Sequence, residues 1–309
     1  MNIIFFGSSE FSIPVLKALS AKYSIVHVVT TPDKKKGRGQ KISGTIVKEF
    51  ALTHHLNVSE PEKLSSPDFV AQLKKLKPDF IIIASYGKLV PSSIFTLPKI
   101  AALNVHPSLL PRHRGASPIQ RTILEGDQKT GVSIAEITKD LDAGDLFAQI
   151  ETSVDINENS SDLSQRLSEM ASKLLLKLID DLKNGSFKKI PQDSSKSTYA
   201  KKIEKDEGKI NWNNSNLIIH NQVRAYYPRP GAFTFFKDRR LKIIKTELLE
   251  VQTRKINPGF VMSIDPEGIT VQTQSNALKL KKVQLEGRNE IGAYEFALGQ
   301  RIQKEDHFG

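Results

Sequence analysis

The sequence predicts an α/β domain with a mostly parallel sheet and flanking helices, followed by a small antiparallel β-barrel domain. In the first half, short apolar runs alternate with helical patterns, as in parallel sheets covered by helices. The run DFIIIASYG (79–87) is too continuously apolar for a half-exposed strand, which indicates the centre of that sheet. After Gly185, short alternating runs separated by turn residues are typical of an antiparallel barrel.

The first half divides into strands and helices in regular alternation. We predict strands at 2–7, 23–31, 79–87, 101–106 and 131–137, and helices at 10–21, 68–76, 116–126 and 161–183. This order is typical of a Rossmann-like fold. The turn Gly7-Ser8-Ser9-Glu10 lacks the second and third glycines of a dinucleotide fingerprint, which disfavours nicotinamide chemistry. We expect Ser8 or Ser9 to cap the following helix instead.

The helix at 161–183 has the clearest pattern. Six apolar residues recur at helical spacing and predict a core face: Leu163, Leu167, Met170, Leu174, Leu178 and Leu182. Ser160 and Ser161 are the expected caps, and Asn184-Gly185 supplies the stop.

Composition changes after this helix and predicts the domain organisation. Residues 186–209 are polar, rich in lysine and short of large aliphatics, which indicates an exposed linker. We expect a catalytic domain at 1–188, a linker at 189–206 and a basic, OB-like barrel at 207–309. Residues 201–309 contain 19 Lys+Arg and 13 Asp+Glu, so their net +6 is about half of the +11 of the whole chain. This excess favours an anionic partner such as nucleic acid, although many basic surfaces serve only solubility.

The totals exclude several classes of protein. With no cysteine among 309 residues, the chain has no disulfide, no thiolate catalysis and no cysteine-ligated metal. No apolar stretch reaches the length of a membrane span, and no signal peptide precedes the first strand, so we expect a cytoplasmic protein. No histidine pair has metal-ligand spacing beside a carboxylate, so we expect no metal. No strongly apolar exposed face stands out, which favours a monomer.

Polar side chains cluster where the fourth predicted strand ends, in LNVHPSLLPRHRG (103–115). Asn104 and His106 alternate with apolar residues, so both point to one side of the strand at its carboxyl end. An amide and an imidazolium are both donors and suit an oxygen that gains negative charge during acyl transfer. Asp142, in KDLDAGD, is the candidate that would fix the tautomer of His106. The alternative is that both residues only hydrogen-bond a neighbouring loop.

A basic loop follows the second predicted strand, in TPDKKKGRGQK (31–41). Its cations are Lys34, Lys35, Lys36, Arg38 and Lys41. Gly37 and Gly39 would let this loop approach a phosphate backbone closely. The alternative is an ordinary solvated charge run.

The segment NVHPSLLPRHRGASPIQ, with LDAGD downstream, resembles the signature of the 10-formyltetrahydrofolate-dependent formyltransferases. The resemblance implies that Asn104, His106 and Asp142 are catalytic and that 10-formyltetrahydrofolate is the formyl donor. It also implies that Ser108, Leu109, Leu110 and Pro111 form a folate-contacting loop, stiffened by its prolines. For Arg112 and Arg114 two interpretations stay open. Both side chains contact an anionic substrate, or both belong to a solvated basic loop.

Two further stretches bear on the formyl acceptor. TPDKKKGRGQK and TYAKKIEKDEGKINW (198–212) are similar to segments of the family members that act on methionyl-tRNA. The resemblance implies formyl transfer to the α-amine of initiator methionyl-tRNA, with residues 34–41 and the basic barrel on the tRNA. The enzymatic alternative is an aminosugar-nucleotide acceptor. A second alternative, an RNA-binding protein with an inactive folate fold, conflicts with the intact Asn104, His106 and Asp142.

Overall fold

The structure is a computed structural model that describes residues 1–36, 41–251 and 257–309. Contacts divide the chain into two compact units. Unit 1 comprises Met1–Pro118, Lys129–Ser153 and Ser164–Lys201, and unit 2 comprises Ile119–Gln128, Val154–Leu163 and Lys202–Gly309. Two short segments of the predicted catalytic domain, 1–188, therefore belong to the second unit. No helix in the described ranges is both long and apolar enough to cross a membrane.

A seven-stranded sheet forms the centre of unit 1. The strands of the first two thirds of the chain are β1 (Asn2–Gly7), β2 (Ser24–Val29), β3 (Lys34–Lys36), β4 (Lys41–Ser43), β5 (Val58–Ser59), β6 (Phe80–Ala84), β7 (Ala101–His106), β8 (Arg114–Gly115), β9 (Lys129–Glu136), β10 (Leu146–Ser153) and β11 (Tyr199–Ala200). The sheet order is β10-β9-β7-β6-β1-β2-β5. Its pairs are parallel except β7 with β9 and β9 with β10. The predicted mostly parallel sheet is confirmed, and β6 lies inside it as expected.

Helices follow the strands in the same stretch of chain. They are α1 (Ser12–Lys22), α2 (Ile46–Thr53), α3 (Pro67–Lys75), α4 (Ser92–Phe95), α5 (Pro118–Leu124) and α6 (Ser160–Lys183). Each of the longer ones buries an apolar stripe, such as Val15, Leu16 and Leu19 of α1. Such stripes bury apolar area that favours folding. The sequence analysis missed α2, α4 and the antiparallel strand β10.

Two predicted helix caps are wrong. The Ser8 hydroxyl donates to the carbonyl of Tyr86 at 3.2 Å, and the Ser9 hydroxyl bonds the Ser85 hydroxyl at 2.7 Å, so both tie the end of β1 to the end of β6. At α6 the side-chain oxygen of Asn159 accepts the N–H groups of Ser161 and Asp162, at 2.8 and 3.1 Å. An asparagine therefore caps this helix, because its oxygen satisfies otherwise unpaired first-turn donors.

Unit 2 contains an antiparallel sheet and two helices. They are α7 (Asn216–Ala225), β12 (Phe233–Phe236), β13 (Arg239–Leu249), β14 (Val261–Asp265), β15 (Gly268–Gln272), β16 (Ala277–Leu285), β17 (Glu290–Gly292) and α8 (Ala293–Gln300). The order is β12-β13-β16-β15-β14, and β17 pairs with β16. The antiparallel arrangement that the sequence predicts is confirmed, and an OB-like form remains a prediction.

The C-terminal tail contacts both edge strands of this sheet. The Val261 N–H at the start of β14 donates to the carbonyl of Asp306 at 2.8 Å, and the Gly309 N–H donates to Phe235 in β12 at 3.1 Å. Phe308 between these bonds is fully buried. The tail thus satisfies backbone groups on two edges that would otherwise be open to pairing.

Helix α7 was missed because its buried face is polar. His220, Asn221, Gln222 and Arg224 are all buried, so the helix lacks the apolar spacing that reveals an amphipathic segment. Burial lowers the pKa of the His220 imidazole, whose two nitrogens bond the Thr246 hydroxyl and the carbonyl of Ile156, each at 2.8 Å. These bonds offset the cost of burying the polar groups.

Candidate active site

The carboxyl end of β7 carries the two polar side chains that the sequence singles out. Asn104 and His106 are two residues apart and therefore point to the same face. Asn104 lies opposite Ile83 of β6 and Ala135 of β9, so apolar strands flank it on both sides. His106 is buried, with 4% of its surface exposed. Asn104 and His106 are thus held on a strand that lies inside the sheet of unit 1.

Asp142 lies beside both residues, as the sequence predicts. Its Oδ1 accepts the Asn104 amide at 2.8 Å, and its Oδ2 accepts the Gly115 N–H at 2.8 Å. The same Oδ2 is 3.6 Å from Nδ1 of His106. Asp142 has a positive φ of 52°, an uncommon backbone conformation for a residue other than glycine, asparagine or aspartate. The carboxylate is therefore fixed by two hydrogen bonds, in a loop whose left-handed backbone an aspartate tolerates.

The geometry of His106 determines which nitrogen carries a proton. Nε2 is 2.9 Å from the carbonyl oxygen of His113. Because a carbonyl only accepts, Nε2 is the donor, and the neutral ring has its lone pair on Nδ1, facing Asp142. A proton on Nδ1 would turn this contact into an ion pair. The two predicted donors are thus directed at Asp142 and His113, and they do not converge on one free point.

The loop that follows β7 is held by hydrogen bonds to the neighbouring strands. The Ser133 hydroxyl in β9 donates to the carbonyl of Ser108 at 2.6 Å and accepts the Leu110 N–H at 3.0 Å. The Gln149 amide in β10 donates to the carbonyl of Leu110 at 3.0 Å. The bond between Leu110 and Pro111 is cis. The loop is therefore fixed by β9 and β10.

The four residues expected at the folate differ in exposure. Ser108 and Leu110 are buried, and the Ser108 hydroxyl donates to the carbonyl of Arg112 at 2.7 Å. Leu109 and Pro111 are half-buried. The side chains of Leu109 and Pro111 are thus the accessible ones, whereas those of Ser108 and Leu110 hold the loop in shape.

Residues 190–200, within the stretch predicted as a linker, hydrogen-bond to this loop. The Thr198 hydroxyl accepts the His113 N–H at 2.9 Å, and its carbonyl accepts the Arg114 N–H at 2.9 Å. Strand β11 then pairs in parallel with β8, where Gly115 has a φ of 122°. A Cβ on Gly115 would lie 2.8 Å from the carbonyl oxygen of Ala200. Only glycine fits this close approach.

Gln192 links this segment to Asp142. Its Oε1 accepts Nε and Nη2 of Arg114, at 3.2 and 2.8 Å. Its Nε2 donates to the carbonyls of Asp142 and Gly144, at 2.9 and 2.6 Å. One amide therefore holds both the Arg114 guanidinium, through two bonds, and the loop around Asp142, through the other two. The sequence analysis missed Gln192, because no spacing marks a lone glutamine in a polar stretch.

The two arginines of the signature have different surroundings. Arg112 is exposed, whereas Arg114 is 4% exposed. The interpretation of both as a solvated loop is therefore wrong for Arg114. A buried guanidinium must be held by partners, and Gln192 supplies them through a neutral oxygen.

Basic residues occur in the loop predicted after the second strand and in unit 2. Strands β3 and β4 pair in antiparallel fashion and contain Lys34, Lys35, Lys36 and Lys41. Arg38 lies outside the described residues. In unit 2 the Arg240 guanidinium lies 3.7 Å from the ring centroid of Phe233, and Lys209 lies 5.7 Å from that of Phe235. Cations over aromatic rings of this kind are suited to contact nucleic acid.

Comparison with known families assigns both halves of the chain. A family model described as formyl transferase matches residues 1–179, and one described as formyl transferase, C-terminal domain, matches residues 202–301. A protein of Sulfurihydrogenibium sp. named methionyl-tRNA formyltransferase is 40% identical over 310 residues, covering all of both chains. A protein of the same name from Thermodesulfovibrio yellowstonii is 42% identical, covering 98% of this chain and 97% of its own.

Solved structures share the fold at low sequence identity. HypX from Aquifex aeolicus superposes with a TM-score of 0.68 at 18% identity and covers 99% of this chain, which spans 49% of HypX. WlaRD, a sugar 3N-formyl transferase, superposes with a TM-score of 0.66 at 20% identity and covers 94% of this chain and 99% of its own. At these identities the likeness shows the fold alone.

Proposed function

The chain belongs to the formyl transferase family, and we propose that it transfers the formyl group of 10-formyltetrahydrofolate to the α-amine of initiator methionyl-tRNA. One observation carries this proposal: relatives named for that activity match the chain end to end, including the C-terminal unit. The cluster of Asn104, His106 and Asp142 supports it, because amide, imidazole and carboxylate lie together at the carboxyl end of the sheet.

In the proposed reaction the neutral amine attacks the formyl carbon. The formyl oxygen gains negative charge, the bond from carbon to N10 breaks, and N10 takes a proton as the amine loses one. Asn104 uses one amide hydrogen on Asp142 and keeps its second for the oxygen. His106 supplies the other donor once Nε2–H leaves the carbonyl of His113 for the formyl oxygen. Asp142 then faces the protonated ring and supports the proton transfer.

Basic segments would supply affinity for the tRNA. Residues 201–309 have a net charge of +6, from 19 Lys+Arg and 13 Asp+Glu. Cations on a phosphate backbone release counterions, so binding would weaken steeply as salt rises. We assign the loop cations Lys34, Lys35, Lys36, Arg38 and Lys41 to the same role. Because phosphate contacts position rather than specify, the chemistry of the acceptor would be selected at the catalytic residues.

The setting of the reaction follows from the same proposal. An enzyme of translation initiation works where tRNA is charged, so we assign it to the cytoplasm, acting as a monomer. Transfer to an aminosugar nucleotide is the alternative. WlaRD, which has the same fold, is named a sugar 3N-formyl transferase, and transfer to a sugar would use the same formyl donor. This alternative is therefore included in the test.

One assay separates these functions. The purified protein is incubated with labelled 10-formyltetrahydrofolate and either methionyl-tRNA or a dTDP-linked aminosugar. We expect N-formylmethionyl-tRNA to form, with a rate that falls as salt rises, and no formylated sugar. Formylation of the sugar alone would replace the proposal by its alternative. Arg38→Ala is expected to raise the KM for methionyl-tRNA without changing that for the folate.

A further inference from the structure

A cavity of about 490 Å³ lies in unit 1 next to the catalytic loop. Its lining residues are Arg114, Asp140, Leu141, Ala143, Ser194, Ser197 and Tyr199. Three of these, Asp140, Leu141 and Ala143, flank Asp142 in the chain. The cavity volume falls in the range of small-molecule sites. An occupant of this cavity would therefore lie beside the residues proposed to transfer the formyl group.

Arg114 gives this cavity a buried positive charge. The side chain is 4% exposed, and its bonds to protein are the two from Nε and Nη2 to the neutral oxygen of Gln192. Within the described part of the chain, no carboxylate lies at salt-bridge distance from this guanidinium. A buried charge without a counterion favours an anion close by. Guanidinium groups match phosphate oxygens well, because they present several donors in one plane.

Two large side chains of the cavity lining, Tyr199 and Leu141, are exposed. Tyr199 is 63% exposed and Leu141 is 49% exposed, although both are large hydrophobic residues. An exposed aromatic ring of this kind can stack on a nucleobase. The hydroxyl of Ser194 has no partner among the described residues, and it adds a further polar group to the lining. Phosphate-binding and base-stacking groups thus line the same cavity.

We propose that this cavity binds the 3′-terminal nucleotide of the tRNA, with its phosphate on Arg114 and its base on Tyr199. The inference rests on the proposed function. The methionyl group is esterified to that nucleotide, so its amine reaches Asn104 and His106 only when the nucleotide lies a few ångströms away. The cavity is lined by Asp140, Leu141 and Ala143, the chain neighbours of Asp142, which itself contacts Asn104 and His106. Asp140, exposed at the same cavity, opposes the phosphate and limits how tightly a nucleotide is held.

Binding of adenosine 5′-monophosphate to the full-length protein tests the site without any transfer. We expect Arg114→Gln to abolish binding, and Tyr199→Ala to weaken it at least about fivefold through the lost stacking. Asp140→Asn should tighten binding about twofold to fivefold, because a like charge is removed. Phe187→Ala is the matched control, since Phe187 is 45% exposed on the same stretch of chain and packs on Phe147. Unchanged affinity in both Tyr199→Ala and Asp140→Asn would overturn the proposal, even where Arg114→Gln fails to fold.

Steady-state kinetics identify which substrate uses the cavity. Tyr199→Ala should raise the KM for methionyl-tRNA while the KM for 10-formyltetrahydrofolate and kcat stay near the wild-type values. A raised KM for the folate instead would assign the cavity to the donor and overturn the proposal. Failure of the proposed function can be distinguished from failure of the proposed nucleotide site. A protein that binds the nucleotide at this cavity but formylates no methionyl-tRNA would support the site and contradict the function.

Discussion

Two segments meet around Asp142 and do different work there. The signature segment, residues 104–115, supplies the amide and imidazole that face the carboxylate. The supporting segment, residues 190–200, supplies no reacting group but holds Asp142 and Arg114 through Gln192 and binds the His113 backbone through Thr198. The proposed catalytic geometry thus depends both on residues that would carry the chemistry and on residues that fix their positions. Substitutions in the two segments should therefore differ both in which quantity they change and in how large the change is.

The largest effect is expected in the signature segment. His106→Ala removes the imidazole that faces Asp142, so transfer should fall by about 10³-fold or more. The affinity for methionyl-tRNA should stay within about twofold, because His106 is buried. Single-turnover transfer and filter binding measure the two quantities.

His54→Ala is the control for this change, because His54 is an exposed histidine at the end of α2. It should leave both quantities unchanged. A wild-type rate of transfer by purified His106→Ala would remove His106 from the mechanism. The signature segment would then, like the supporting segment, lack a demonstrated reacting imidazole.

The signature segment was predictable from the sequence because its residue types are unusual for a strand end. Asn104 and His106 interrupt an apolar strand, and strand direction alone places them at the edge where ligands bind. Gln192 and Thr198 gave no such signal. They act through hydrogen bonds to residues 50 and 85 positions away, which no local pattern encodes. The elements of the fold also differ in how clearly the sequence marks them. Apolar periodicity predicted β6 and α6, whereas the helix α7, whose buried face is polar, was missed.

The supporting segment should show its role most clearly at Gln192. Gln192→Leu removes the donor to the carbonyls of Asp142 and Gly144 and the acceptor of Arg114. Lost hydrogen bonds of this kind cost about 1–3 kcal/mol, so kcat should fall about tenfold to a hundredfold. Gln192→Glu keeps an acceptor for Arg114 but loses the donor, so its kcat should stay low.

A pH profile separates positioning from simple loss of stability. If Gln192 fixes Asp142 against His106, the profile of kcat should shift in both variants while thermal denaturation still shows a folded protein. Gln165→Leu, an exposed glutamine on α6, is the control. A wild-type kcat in Gln192→Glu would confine the role of Gln192 to Arg114.

Gly115 belongs to the signature segment but touches the supporting one. Alanine there meets the carbonyl of Ala200 at 2.8 Å and must also adopt a φ of 122°, so Gly115→Ala should destabilise the fold by about 1–3 kcal/mol. Urea denaturation measures the change. Gly185→Ala is the matched control, because Gly185 also has a positive φ of 70° but no atom within 4 Å of the added Cβ. Equal losses in both would show that strain alone, and not contact with Ala200, limits position 115.

The smallest effect is expected at Thr198. Thr198→Val keeps the shape of the side chain but removes the acceptor of the His113 N–H, which should cost about 1 kcal/mol. Because that N–H lies next to the carbonyl that holds Nε2 of His106, kcat should fall about threefold to tenfold. Thr198→Ser retains the hydroxyl and should restore the rate. A loss in Thr198→Ser as large as in Thr198→Val would assign the effect to the methyl group, and the supporting segment would then act on His106 through packing rather than through this hydrogen bond.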